Sequence, residues 1–268
     1  MKKFLNIFCC LLAAALLGGC GKNSANHFQG YIEGEYVYVA APLGGALTNL
    51  AVARGEQIKK GQLLFALERQ SEAAALDQAE KNLAQAKASL TLSESTFQRR
   101  KELRNSPDAV ISAEELDQAR SQRDADAAMM AAQQAALDKA QWSFDQKQQF
   151  APADAQVHDT LYRSGEWVAA GNPVVVLLPP ENIKVRFFVP QEMLPHIKIG
   201  ESVAIACDGA PHAINATVNY ISTQVEYTPP VIYSRETRAN LVFMIEAKIS
   251  PADAADARPG QPADVRLN

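Results

Sequence analysis

Between Gln70 and Gln149 the chain has no glycine, and its one proline there is Pro107. Only Pro107 can therefore break a helix in that stretch. Other scarcities narrow the reading further. There are only four cysteines, Cys9, Cys10, Cys20 and Cys207, and no disulfide framework is expected. Basic residues number 26 against 30 acidic ones, and without a basic excess nothing points to nucleic acid. The four histidines, His27, His158, His196 and His212, fall on different elements without ligand spacing, so no metal site is expected. Met129-Met130 lies on a helix and reads as packing rather than as a copper site. There is no glycine-rich phosphate loop, so any ATPase must be another subunit. No nucleophile–base pair can be named; the expectation is a chain that is not an enzyme and holds no cofactor.

The glycine-free stretch is patterned. Leu76, Leu83, Leu90 and Phe97 recur every seven residues, with Ala79 and Ala86 three after the first two. Asn105-Ser106-Pro107-Asp108 interrupts with turn-forming residues. The seam resumes through Leu116, Met130, Leu137 and Phe144, with Ala119 and Ala140 as small partners. The spacing predicts two helices of roughly 35 residues, on the order of 50 Å long. A single chain closes such a seam by folding into an antiparallel hairpin, here over residues 70–149. Ser112-Ala113-Glu114-Glu115 fits a capping box opening the second helix. Taken alone, the hairpin also admits the plainer reading of a generic coiled coil.

The N-terminus carries an address. Met1-Lys2-Lys3 precedes the apolar stretch Phe4 to Leu17, which is too short to span a bilayer comfortably. Leu17-Gly18-Gly19-Cys20 follows and resembles the bacterial lipobox, in which cleavage precedes the cysteine and its thiol is acylated. Residues 1–19 are thus expected to be a lipoprotein signal, with an ordinary signal peptide or a remnant anchor as the alternative. Cys20 would be the lipidation site and residues 20–36 an N-terminal tether. Cys207 is left alone in a strand and reads as a small buried hydrophobe.

An internal repeat lies at a constant offset of 110, running without a gap over 27 positions. Ala41-Pro42 matches Ala151-Pro152, Gly55-Glu56 matches Gly165-Glu166, Ile58 matches Val168, Gly61 matches Gly171 and Leu67 matches Leu177. Each copy alternates apolar and polar residues between glycines six apart, the pattern of short strands joined by tight turns. Two equal β units on either side of a helical hairpin predict a pseudo-symmetric sandwich. Beyond Pro179-Pro180, alternating runs such as Ile183–Val189, Gly200–Cys207, Leu241–Ile249 and Ala263–Leu267 predict a small barrel or sandwich.

Three of these stretches, Ala41–Gly45, Arg54–Gly61 and Ser164–Gly171, resemble the split lipoyl (biotinyl-carrier-like) domain of the periplasmic adaptor family. Its members are also called membrane fusion proteins or haemolysin-D-like proteins. Pro259–Val265 resembles that family's closing strand, and Glu226–Ser234 a signature of the subgroup working with ABC exporters. The fold implied is a mixed α and β, elongated chain. An α-helical coiled-coil hairpin is inserted in a split lipoyl-like β-sandwich, residues 37–69 plus 150–180, and a small β-barrel follows over residues 181–268. Carrier domains hold a modified Lys at the turn between their halves. Here Leu67-Glu68-Arg69 leads straight into helix, which counts against a carrier.

The resemblance implies an adaptor of an export or efflux system. It would bridge an inner-membrane transporter, an ABC-type permease with its ATPase, to an outer-membrane channel of the TolC type. Such adaptors act as rings, commonly hexamers. This one would sit in the periplasm of a Gram-negative bacterium, lipid-anchored, with the inner membrane favoured. An adaptor of a proton-driven RND-type drug or metal pump is the alternative, and a lipoyl or biotinyl carrier subunit a further one. Proton-driven adaptors usually carry another membrane-proximal domain after the barrel, so the end at Asn268 is expected to favour the ABC type. In the family the hairpin tip docks with the channel through an Arg, a Leu four residues later and a Ser seven beyond that. Arg99 and Leu103 match the first spacing, and Ser112 fits by context two residues late. The plainer readings stand beside it: Arg99 as a solvated helix residue, Ser112 as a cap.

Overall fold

The computed structural model describes residues 27–106, 111–207, 209, 212–227 and 241–267. The expected signal segment, Cys20, residues 107–110 of the tip loop and most of the Glu226–Ser234 signature lie outside these residues. Packing divides the chain into two compact units, Tyr36–Pro179 and the remainder.

The first unit holds the repeat. Its strands are β2 (Val37–Ala40), β3 (Gly45–Leu50), β4 (Gln57–Ile58), β5 (Leu63–Leu67), β6 (Gln148–Phe150), β7 (Ala155–Thr160), β8 (Trp167–Val168) and β9 (Pro173–Leu178). They form two four-stranded sheets, ordered β2-β9-β7-β4 and β6-β5-β3-β8. The offset of 110 carries each strand of one sheet onto a strand of the other, in the same order. Each sheet therefore takes two strands from each half, and neither half closes a core alone. Leu47, Phe65, Leu67, Val157, Val168 and Leu177 fill the space between the sheets and are essentially inaccessible.

The hydrogen bonds repeat with the sequence. Gly55 N donates to Val157 O at 2.8 Å, and Gly165 N to Leu47 O at 2.7 Å. These glycines have φ of +87° and +96°, which a side chain would strain. Glu56 accepts from Ala53 N through Oε2, and Glu166 from Arg163 N in the same way. The recurring glutamates thus tie their own turns.

Between β5 and β6 run α1 (Gln70–Arg104) and α2 (Ala113–Asp145). The hairpin ends earlier than residue 149. After Asp145 the chain turns, and Gln148–Phe150 pairs with β5, because Leu67 N already bonds the Lys147 carbonyl at 2.7 Å.

The second unit is a closed barrel ordered β1-β10-β13-β12-β11-β14. Its strands are β1 (His27–Gly34), β10 (Ile183–Pro190), β11 (Ser202–Cys207), β12 (Ile214–Tyr227), β13 (Leu241–Ile249) and β14 (Pro262–Leu267). Two expectations are corrected here. Residues 27–34 are a stave rather than part of a tether, and the barrel is not confined to residues 181–268. β1 bonds both β10 and β14, and without it those two edges would lie open. Phe28 and Ile32 point into the core, with Gly30 between them. Cys207 is buried at the end of β11 and forms no disulfide among the described residues.

The barrel carries a second duplication, at an offset of 60. β10 with β11 corresponds to β13 with β14, and a 3₁₀ turn intervenes in each, Leu194–His196 and Ala254–Asp256. Ile197, Gly200 and Ile205 match Ala257, Gly260 and Val265. Gly200 N donates to Val218 O and Gly260 N to Ile32 O, both at 2.8 Å, which makes β12 the counterpart of β1.

Candidate partner-docking hairpin

The seam between α1 and α2 follows a strict three-four spacing. On α1 the inward positions are 72, 76, 79, 83, 86, 90, 93, 97 and 100; on α2 they are 116, 119, 123, 126, 130, 133, 137, 140 and 144. Only Ala79, Leu83, Ala86, Ser93 and Phe97 of α1 and Ala119 of α2 are fully buried. The core is one residue wide, so much of the helical stability comes from within each helix. Exposed i,i+4 pairs such as Gln98–Glu94 and Gln134–Asp138 add about 0.2–0.5 kcal/mol each.

Not all seam positions are apolar. Ser93 returns its hydroxyl to Leu90 O at 3.1 Å. Arg123 lays its guanidinium 4.5 Å from the Phe97 ring centre and lies 3.7 Å from Glu94. A search of the sequence for apolar repeats passes over Arg123, Asp126 and Gln133.

Toward the tip the seam is finished by arginines. Arg100 donates to Glu115 O at 3.0 Å, and Arg104 to Ile111 O at 2.6 Å. Arg99 points to solvent, and Leu103 is 43% exposed. Ser112 forms the expected capping box. Its hydroxyl accepts from Glu115 N at 3.2 Å, while its own N–H donates to Glu115 Oε2 at 2.9 Å. The hydroxyl also donates to that carboxylate, and the Ser112 N–H, with the hydroxyl second, holds the Glu115 carboxyl below its ordinary range. The structure thus puts Arg99 and Leu103 on the exposed end of α1 and occupies the Ser112 hydroxyl within its own helix.

At the opposite end, Lys147 is buried where the hairpin leaves the sandwich. Its side chain is 5% exposed; Nζ lies 2.9 Å from Glu72 Oε1 and donates to Gly44 O at 2.7 Å. Arg69 donates to Gln148 Oε1 at 2.9 Å and stacks its guanidinium 4.6 Å from the Phe144 ring centre.

Residues 75–147, nearly the whole hairpin, match the family described as RND MFP, alpha-helical hairpin domain. A UPF0194 membrane protein of Citrobacter koseri is 25% identical, over 96% of this chain and 94% of its own length. Both similarities are to the periplasmic adaptor, or membrane fusion protein, family. The fold agrees. The membrane fusion protein Spr0693 of Streptococcus pneumoniae superposes with a TM-score of 0.66 at 19% identity, over 90% of this chain and 98% of that one. MacA of Actinobacillus actinomycetemcomitans gives 0.60 at 17% identity, over 91% and 79%.

Seen as an adaptor, the chain has a feature that the sequence reading overlooked. A lysine does stand where the two halves of the sandwich join, but on the return side of the hairpin. Lys147 is enclosed and its ammonium has two acceptors, an arrangement for holding elements together rather than for carrying a group. The signal that could have found it is its place, three residues after the last seam position of α2 and directly before a strand. Among the described residues no group of three or more side chains could hold a metal ion, and no helix is long and apolar enough to cross a membrane.

Proposed function

We propose that this adaptor bridges an ABC-type permease and its ATPase in the inner membrane to an outer-membrane channel of the TolC type. It is lipidated at Cys20, sits in the periplasm and self-associates in a ring, a hexamer in keeping with its family. It moves no bonds itself. The hairpin supplies the reach, and its tip meets the channel through Arg99 and Leu103, while Ser112 sets the start of the returning helix. One observation carries this reading. Leu103, a large apolar side chain off the packing seam, is open to water at the far end of a 35-residue helix. The choice of an ABC partner rests on the Glu226–Ser234 resemblance. A proton-driven partner is the second reading, and the RND label of the matching hairpin family favours it.

The test replaces Leu103 with Asp. Export and cross-linking to the channel should both be lost, while protein level and thermal midpoint stay at wild-type values. Ser112→Ala, which removes a cap at about 1 kcal/mol, should leave export nearly intact. Wild-type export with Leu103→Asp would sink the docking role. Export that persists when the proton gradient is collapsed and ATP is present supports the ABC partner over the proton-driven one.

A further inference from the structure

We propose that Lys147 fixes the angle at which the hairpin leaves the sandwich and is thereby the positioning residue for the docking tip. It joins three separate segments, one through its main-chain carbonyl and two through its ammonium. Its carbonyl accepts from Leu67 N, at the end of β5. Its Nζ reaches the carboxylate of Glu72, in the first turn of α1, and the carbonyl of Gly44, just before β3. Gly44 and Lys147 are 103 residues apart in sequence, so the bond crosses from the hairpin to the sandwich itself.

The neighbouring loop is shaped around the ammonium. A Cβ on Gly45 would stand 3.2 Å from Nζ and 3.4 Å from Glu68 O. A second crossing reinforces the first. Arg69, leading into α1, bonds Gln148 and covers Phe144, both on the returning side. Glu68 N in turn bonds Ala46 O at 2.7 Å. A buried ion pair adds little to stability compared with an apolar contact of the same size. What it supplies is direction, because an ammonium between a carboxylate and a carbonyl satisfies both from few positions.

The consequence lies at the far end. A 35-residue helix is on the order of 50 Å long, so a rotation of roughly 10° at the root moves the tip by about 9 Å. That distance decides whether Leu103 meets a partner surface or misses it. The angle itself stands on the sandwich and hairpin alone; its importance for docking rests on the adaptor reading above.

The experiment uses the full-length protein in detergent, with Cys9, Cys10, Cys20 and Cys207 replaced by Ala. Spin labels on Arg54→Cys in the sandwich and Gln98→Cys in the hairpin report the distance distribution by pulsed electron resonance. Lys147→Met keeps the length of the side chain and removes both bonds; it should at least double the width of the distribution. Glu72→Gln, which leaves the Gly44 bond, should give an intermediate width. A purely stabilising lysine would lower the thermal midpoint and leave the width alone, and that result overturns the proposal. Should Lys147→Met fail to fold, Glu72→Gln decides, an unchanged width overturning it. Because the distances are read without a channel, failure of the adaptor reading leaves them unaffected. Broadened distances with export still at the wild-type rate would overturn the positioning role.

Discussion

Replacing Gly30 with Ala tests the placement of β1 most sharply. An added Cβ would lie 2.3 Å from Arg186 O, 2.7 Å from Phe187 Cβ and 2.9 Å from Phe187 Cα. Two of these three atoms are backbone, so no side-chain rotation relieves the clash. Restoring an ordinary contact with Arg186 O requires a shift of roughly 1 Å, against an interstrand spacing of about 4.8 Å. A shift of that size breaks the ladder from Gly30↔Phe187 toward Gly34↔Ile183, which closes one side of the barrel. Overpacking of a core costs about 1–3 kcal/mol, and a clash with main chain belongs at the upper end. At about 3 kcal/mol, the transition of a barrel of this size should fall by roughly 10–20 °C in scanning calorimetry. Gly55→Ala, in the sandwich, is the comparison. No atom lies within 4 Å of its new Cβ, but its φ of +87° costs about 1–2 kcal/mol. If Gly30→Ala left the barrel transition within about 0.5 kcal/mol of wild type, β1 would not be a stave and the closed barrel would be wrong.

Two further predictions are independent of this one. Cys20→Ser should leave an uncleaved precursor that takes up no labelled palmitate; normal processing and labelling of that variant would end the lipidation proposal. The second concerns pH. Burial pushes the Glu246 carboxyl up, but Lys184 and Arg186, 2.7 and 2.9 Å away, outweigh it and hold the group below its ordinary 4.5. A lowered carboxyl contributes stability above its unfolded pKa and loses it as pH falls through the folded one. The barrel's denaturation midpoint should therefore decline below pH 4.5, and Glu246→Gln should flatten that decline. An acid limb equally steep in the variant would remove Glu246 from the account. Lys184 is raised, with burial opposing and Glu246 and Glu35 prevailing, so its share is lost only at alkaline pH.

What could be read in the sequence depended on how each feature writes itself there. The hairpin was legible because a heptad of Leu, Ala and Phe is periodic in one dimension, and the sandwich because its halves keep identical Gly-Glu turns at one offset. The duplication in the barrel was not, because its copies share Gly200 and Gly260 but otherwise match only in polarity, as with Ile197 and Ala257. β1 was missed because Gly30, needed for close approach to β10, interrupts an alternation already short. Lys147 was missed because its partners, Glu72 and Gly44, lie 75 and 103 residues away. An ion pair between distant segments has no local signature.

The same distinction bears on Leu103. After Phe97 come the last inward position of α1, Arg100, and four residues on the exposed Arg104, and both find main-chain carbonyls of the returning segment. Among the described residues, the seam is therefore continued toward the tip by guanidinium–carbonyl bonds rather than by apolar side chains. Leu103 lies one position off that line and is 43% exposed, so it adds little to the packing of the pair. Exposure of a single leucine is ordinary on any surface. Here it follows a seam that has already turned polar, beside an exposed Arg99 at the end of a long lever. A leucine left over from folding would sit on the seam with Phe97. One that sits off the seam and past its end is available to a partner, which is why its charge-bearing variant is expected to fold and fail to dock.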